Sequence, residues 1–520
     1  MAHPLRSLAA AFVFALHAAV ILLSLAGPFL LFAGTFHDGG LDPSPWANVY
    51  GSRGLLERWT TLIGATAEVT VVALAVSLVL GTALGALLLR TDSFLRGPLL
   101  ALVLFALALP FYVTSACFIA IFDLKFLEES TLAVGLIHGV AHLPMSLLVI
   151  GLAQRTVRRE LEETALVEGA GPLRTFLHVT LRGSVAGLAA AAVLVALWVA
   201  TDYSASDVLR VRTFSREVYT LFALHGSPRE ATLVAVPQVV VFSLLFSLLA
   251  RSYFHGNWSL GSFENSLTFR LGRWRLPSSV ATAALCLSLV AAPLVFLMDK
   301  LETSKGLGHY VRALAPAIQT SVWTSLSAGA ICAFLAVGIA WTIVRRRFFH
   351  RLLTAYVVLL LAFPAPLVGV GLIQIFNRPG LLGDLYDLPL MLVLGYCVRF
   401  LPLAVVLLVP WVRSIPREFE DAARLEGATT FDVWRRVVLP LSLPGAFVAF
   451  FVVTALSLGE LPCSSLVSPP GYETVGKRFF SFIHYGIYGE AAALCLLSLV
   501  GALVPWLGLV LVLRKGLFRS

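Results

Sequence analysis

The side chains in this 520-residue chain that could do chemistry are few and widely spaced. Glu68 and Arg399 each lie inside a long apolar run, where a charge is costly and turns toward a bundle interior, a watery path or an opposite charge. His138 and His142 stand four apart, a spacing that sets two imidazoles on one helix face as in a metal site. The central glutamate of H-E-x-x-H is missing, however, and the pair is read as structural. Gly471–Lys477 (GYETVGK) imitates most of a phosphate-cradling loop. Arg478 stands where a magnesium-binding Ser or Thr is needed, and no buried strand precedes it, so nucleotide binding there is set aside. The six cysteines show no C-x-x-C spacing, which signals neither a disulfide framework nor a zinc site. No Ser/His/Asp set and no paired catalytic carboxylates are visible. The chain is read as no enzyme, with no catalytic residue, no metal site and no cofactor.

Two charged segments carry more information. The second, RSIPREFEDAARLEGATTFDVWRRVVLPLS over 413–442, allows a short amphipathic helix from about Arg417 to Glu426. Gly427 then falls where a left-handed C-terminal cap is expected, and Thr430 with Asp432 can open a second helix. The first, over 155–184, repeats the plan with Gly169 at the break and Pro172 in the next first turn. Ala423 and Gly427 are four apart and share a face, as do Ala165 and Gly169. Small side chains there leave a shallow surface that another protein's groove can approach. A basic helix lying on lipid headgroups is the plainer alternative, but the acid-rich 418–426 suits an anionic surface poorly.

The elements that must position these segments are apolar. Hydrophobic residues make up 58% and charged residues 13%, with a mean hydropathy of +0.89, far from the balance of a soluble domain. Twelve candidate spans lie near 7–34, 61–89, 98–122, 131–153, 185–201, 231–250, 278–298, 318–344, 352–376, 388–411, 445–467 and 489–513. The first is read as a retained signal anchor. Pro28, Pro110 and Pro364 are expected to kink their helices. With both termini inside, the inner segments carry 24 of the 38 Lys and Arg but 11 of the 29 acids. This bias predicts the N-in, C-in orientation, and it explains the net charge of +9 without nucleic acid.

The chain also repeats itself. Residues 143–187 lie on 401–445 without gaps at an offset of 258, with 14 of 45 pairs identical, among them Glu162/Glu420, Ala165/Ala423 and Gly169/Gly427. In this register His138 and His142 match Tyr396 and Phe400. Ala108–Asp123 lies on Ala362–Asn377 in the same way, at an offset of 254. The reading is an all-α polytopic membrane protein of two parallel six-helix repeats: a first lobe over 1–257, a cytoplasmic linker over 258–276 and a second lobe over 277–520. Parallel repeats enclose a path along the membrane normal, which favours transport.

Asp421-Ala422-Ala423, Gly427 and Val437-x-Leu439-Pro440 resemble the EAA loop of ABC importer permeases. The first copy, with Glu163, Ala165, Gly169, Val179 and Leu181, departs at Thr164 and has Arg182 in place of the proline. Two copies in one chain resemble the fused permeases of the iron(III) and thiamine importers over essentially the whole length. The runs Arg399-Phe400-Leu401-Pro402, Phe363-Pro364-Ala365-Pro366 and Gly459–Gly471 look more like the iron branch. This resemblance implies a type I ABC importer permease fold in a bacterial plasma (inner) membrane. It implies loops that dock on two ABC ATPase subunits, which hydrolyse the ATP, and an extracytoplasmic substrate-binding protein at the outer mouth. Glu68, Pro110, Pro364, Pro366 and Arg399 are the candidates for the translocation path. Permeases of the same family for thiamine, a phosphonate or another small solute are the alternatives. An ion-coupled secondary transporter is the rival class, and one in-span glutamate makes a poor proton relay for it.

Overall fold

The computed structural model describes residues 54–107, 109–121, 128–226, 228–255, 266–301 and 306–517. In chain order its main helices are α1 (Gly54–Leu89), α2 (Arg96–Ala106), α3 (Phe111–Ile121), α4 (Thr131–Ala141), α5 (Leu143–Arg155), α6 (Arg159–Val167), α7 (Val185–Thr201) and α8 (Pro228–His255). They continue as α9 (Arg275–Lys300), α10 (Gly306–Arg345), α11 (Arg347–Ala362), α12 (Ala365–Phe376), α13 (Leu390–Ser414), α14 (Arg417–Leu425), α15 (Leu439–Leu458) and α16 (Tyr488–Leu517). Hydrocarbon supplies no hydrogen bonds to the backbone, so runs this apolar close their bonds within each helix.

Among the described residues six helices are long and apolar enough to cross a membrane, or up to ten if each of four bent pairs is one span. The expected segment 489–513 falls on α16. The expected first span, 7–34, and Pro28 within it, lie outside the described residues. Pro110 and Pro364 break the chain as expected, since a proline removes a backbone donor and forces the residue before it out of helix. α2 and α3 meet at 97°, and α11 and α12 at 105°, sharp enough for a broken or re-entrant segment. The span expected over 445–467 lies earlier in the chain than predicted. α15 ends at Leu458, and the chain turns through Gly459 to Pro462 into a short helix, Ser464–Val467.

The contacts divide the chain into two compact units, and these do not follow the two sequence halves. One unit draws its described residues from 60–216, 261–315 and 478–517. Within it α1 packs on α5 through glycines: a Cβ added at Gly85 would lie 3.0 Å from the Gly151 Cα, and one at Gly81 2.9 Å from the Ser146 Cβ. Without a hydrophobic drive between helices in lipid, such close backbone approach supplies the packing energy. The same unit takes α9 against α2 and α3, and α16 against α9. The other unit draws its described residues from 54–59, 217–255 and 316–477. Here α13 packs along α15, and α8 lies along α11.

Candidate functional site

The two charged loops fold alike, residue for residue. α6 and α14 are each followed by a glycine in the left-handed region, Gly169 at φ +90° and Gly427 at φ +80°. The Ala170 N–H donates to the Ala165 carbonyl at 3.0 Å and the Gly169 N–H to that of Leu166 at 3.1 Å. In the second loop Ala428 donates to Ala423 at 3.0 Å and Gly427 to Arg424 at 2.9 Å. This is the six-to-one, five-to-two closure of a Schellman cap, and it satisfies carbonyls that the helix end would otherwise leave open. The next helix starts at Pro172 in one loop and at Thr430 in the other. Its cap is Thr429: the Thr429 Oγ1 accepts from the Asp432 N–H at 3.2 Å, and the Asp432 Oδ2 accepts from the Thr429 N–H at 3.2 Å. Both copies then pass through a single π turn at matching positions, Phe176–Thr180 and Trp434–Val438. Such turns are rare and concentrate at functional sites.

A buried carboxylate holds each loop helix down. Glu162 of α6 is 0% exposed and accepts the Arg90 Nη2 on both oxygens at 2.5 Å. It also accepts the Thr180 Oγ1 at 2.6 Å, while the Arg90 Nη1 donates to the Gln154 carbonyl at 2.8 Å. One ion pair thus ties the ends of α1 and α5, the loop helix and the π turn together. In α14, Glu420 accepts the Arg345 Nε at 2.7 Å and the Trp341 Nε1 at 3.1 Å, and the Arg345 Nη2 reaches the Ile415 carbonyl at 2.7 Å. Glu162 and Glu420 are among the repeat identities, but their anchoring role was missed from sequence, because their arginines lie 72 and 75 residues away.

The remaining loop residues face outward. Glu163 pairs with Arg159 at 2.6 Å and Asp421 with Arg424 at 2.9 Å, all four side chains well exposed. Ala422 is exposed, Ala165 and Ala423 are half-buried, and Pro440 is exposed beside a half-buried Leu439 at the start of α15. A Cβ built on Gly169 or Gly427 meets nothing within 4 Å. Large apolar side chains also stand out at matching positions: Leu161 and Phe419, then Val167 and Leu425, the last two 87% and 89% exposed. Exposed apolar side chains therefore recur at the same two positions of both loop helices.

The other candidates separate. Arg399, on α13, donates to the Glu460 Oε1 at 2.7 Å, in an ion pair whose side chains are 10% and 0% exposed. Glu460 was passed over in the sequence, and it also accepts the Cys463 and Ser464 N–H groups at 2.7 and 2.8 Å, capping the short helix Ser464–Val467. Its helix packs against α12, which Pro364 and Pro366 open. Glu68 is exposed on α1, and Pro110 lies at the α2–α3 break. His138 and His142 approach each other at 3.4 Å and stack on Phe111 at 4.4 and 5.1 Å. Among the described residues no three His, Cys, Asp or Glu side chains gather as metal ligands. Gly471–Lys477 runs through a turn into the helix Val475–His484, which lacks the strand-to-helix geometry of a phosphate loop.

Comparison with known proteins supports the same reading of the repeat. Over 388 residues the chain is 21% identical to the Fe(3+)-transport system permease protein FbpB 2 of Haemophilus influenzae, covering 72% of this chain and 74% of that one. It is 29% identical over 187 residues to the molybdenum transport system permease protein ModB of the same organism, covering 33% of this chain and 82% of that one. The maltose/maltodextrin transport system permease protein MalG of Vibrio parahaemolyticus is 30% identical over 194 residues, covering 35% of this chain and 65% of that one. The profile of the family described as binding-protein-dependent transport system inner membrane component matches residues 77–253 and again 326–515, once in each half. The loops, the helices that carry them and this double match agree: the chain belongs to the binding-protein-dependent transport system inner membrane component family.

Proposed function

We propose that this chain is the permease of an ATP-driven importer, taking iron(III) from an extracytoplasmic binding protein to the cytoplasm by alternating access. The observation that carries the reading is the twofold recurrence of one loop geometry: an anchored helix, a left-handed glycine and a π turn. Each loop offers an apolar pair, Leu161 with Val167 or Phe419 with Leu425, to the groove of one ATPase subunit. Glu163, Ala165, Gly169, Asp421, Ala422, Ala423, Gly427, Leu439 and Pro440 form or flank these docking faces. ATP is hydrolysed in the two partner subunits, and this chain supplies the path and the levers. A force on α6 reaches α1 through Glu162 and Arg90, and one on α14 reaches α10 through Glu420 and Arg345. Buried ion pairs suit this role because separating them is costly, so the helices they join move together.

The excess of Lys and Arg in alternate segments supports an inner-membrane placement with both termini cytoplasmic. Glu68, Pro110, Pro364, Pro366 and Arg399 are assigned to the path, where the Arg399–Glu460 pair braces the break that Pro364 opens. Iron is favoured because the match to the Fe(3+) permease runs across both halves, whereas those to molybdenum and maltose permeases span about one. Proteoliposomes holding the chain with its ATPase subunits and binding protein should take up radiolabelled ferric iron, and not thiamine, only when ATP is enclosed with the ATPases. Thiamine uptake would move the cargo assignment within the family. Uptake abolished by an uncoupler and indifferent to ATP would replace the importer reading with a secondary transporter.

A further inference from the structure

The segment joining the two sequence halves is more than a connection. Residues 266–275 of it run beside the end of α1. The Phe269 N–H donates to the Arg90 carbonyl at 2.8 Å, and the Asp92 N–H donates to the Phe269 carbonyl at 3.3 Å, forming a short parallel bridge at Thr91. The Asp92 Oδ1 accepts the Leu271 N–H at 3.0 Å, and the Arg275 Nε donates to the Asp92 carbonyl at 2.7 Å. The Arg275 guanidinium lies 4.0 Å from the centroid of the Phe94 ring, and the Phe94 N–H donates to the Ser279 Oγ at 2.9 Å. These contacts stitch the segment to residues 90–94, directly after α1.

What the segment delivers is one ring. Phe269 is 8% exposed, in a segment whose neighbours Thr268 and Arg270 are exposed. Its ring faces the Arg90 guanidinium at 5.6 Å and meets Phe176 edge-on at 6.4 Å. Arg90 holds Glu162 beneath α6, and Phe176 begins the π turn after it. A single linker side chain therefore touches both supports of the first loop helix. The Arg90 Nε makes no hydrogen bond, and an aromatic face is a suitable neighbour for a buried guanidinium edge.

We propose that Phe269, locked in place by Asp92 and Arg275, is a positioning residue for the first coupling helix, so that the linker between the halves also sets that helix in its docking orientation. The need is local to the first loop, which keeps neither the Ala422 nor the Pro440 of the second and has Thr164 and Arg182 in their places. In the second loop the position beside the anchor is filled from α10 itself, by Trp341. The proposal rests on reading α6 as a docking helix, but its test needs no ATPase.

Hydrogen–deuterium exchange of the full chain in lipid nanodiscs reads it directly. Phe269→Ala should speed exchange of the amides in 159–169 on the order of fivefold, the loss of one partly desolvated cation–π contact. Exchange in 417–427 should not change, and Phe269→Trp should restore the wild-type rate. Arg275→Gln keeps the ring but frees the segment, and should give the same localised increase if Phe269→Ala does not insert stably. Unchanged exchange in 159–169 overturns the proposal, and so does an equal increase in 417–427 or along the whole of α1. A failure here leaves ATP-coupled uptake untouched, whereas a failure of the docking reading appears in uptake and leaves these exchange rates as they are.

Discussion

Glu162 and Glu163 are neighbours in the chain and opposites in the fold. A step of about 100° around a helix turns one into the bundle and the other toward water. Glu162→Ala strands Arg90 at 0% exposure without its counter-charge, a loss of about 3–5 kcal/mol for a buried pair broken on one side. Glu163→Ala removes an exposed i,i+4 pair and should cost less than about 0.5 kcal/mol. Thermal unfolding of the two purified variants checks this contrast, and equal shifts in Tm would refute the anchoring role. The outward residues of both loops were legible in the sequence, because the spacing of the small residues and the glycine repeats. The anchors were not, because nothing local marks which arginine, 72 residues upstream, a glutamate will meet. Gly427 gives a second test. Val there must adopt φ near +80°, worth about 1–2 kcal/mol of strain, while its Cβ touches nothing inside the chain. Gly427→Val should therefore insert normally and lose ATP-driven uptake. Wild-type uptake at normal expression would sink the docking role.

Helix positions were legible from apolar runs, and breaks from proline, since both are local consequences of backbone chemistry. Bend angles and helix partners were not. In a bilayer one apolar face resembles another, and partner choice falls to small residues such as Gly85 and Gly151, whose meeting no single run announces. The packing of α9 with α2, from the opposite half, is such a case. The helix Val475–His484 shows how a pairing between remote segments becomes measurable. The His484 Nε2 lies 3.3 Å from the Asp207 Oδ2, and the Arg216 Nε donates to the Asp207 Oδ1 at 3.1 Å. The Asp207 hydrogen bond raises the pKa of His484 above its usual range against the opposing effect of burial. Burial alone would raise Asp207, but the bonds from His484 and Arg216 outweigh it and hold the carboxyl below its usual value. A raised histidine stabilises the fold fully below its unfolded pKa, and the contribution fades as pH climbs through the folded value. The Tm deficit of His484→Gln should therefore shrink between about pH 6 and about pH 8, spanning the histidine range. A deficit that grows with pH would show that His484 acts as a neutral partner.

Taken whole, the chain is a duplicated permease whose compact units cut across its duplicated halves. The duplication was legible because insertions are few and the charged loops hold register over 45 residues. The exchange of helices between halves was not, because connectivity in sequence does not dictate which neighbours a helix chooses in the membrane. The duplication carries a stoichiometric consequence. Each half contributes one loop with an anchored helix, a left-handed glycine cap and an exposed apolar pair, so under the proposed docking role a single chain presents two docking surfaces. Two identical ATPase subunits can each occupy one, although the surfaces are not identical. The second keeps Ala422 and Pro440, where the first has Thr164 and Arg182. Its anchor is different too, with Trp341 donating to Glu420 where Thr180 donates to Glu162 in the first. Damage at Gly427 should therefore cost more ATP-driven uptake than the same change at Gly169, with neither position dispensable. Native mass spectrometry of the assembled complex should show one copy of this chain with two ATPase subunits. Gly169→Val should lower occupancy to one ATPase more readily than it dissociates both, because the second surface stays intact. An assembly of two permease chains with two ATPases would mean that each chain offers only one working surface, and the equivalence argued for the two loops would fail.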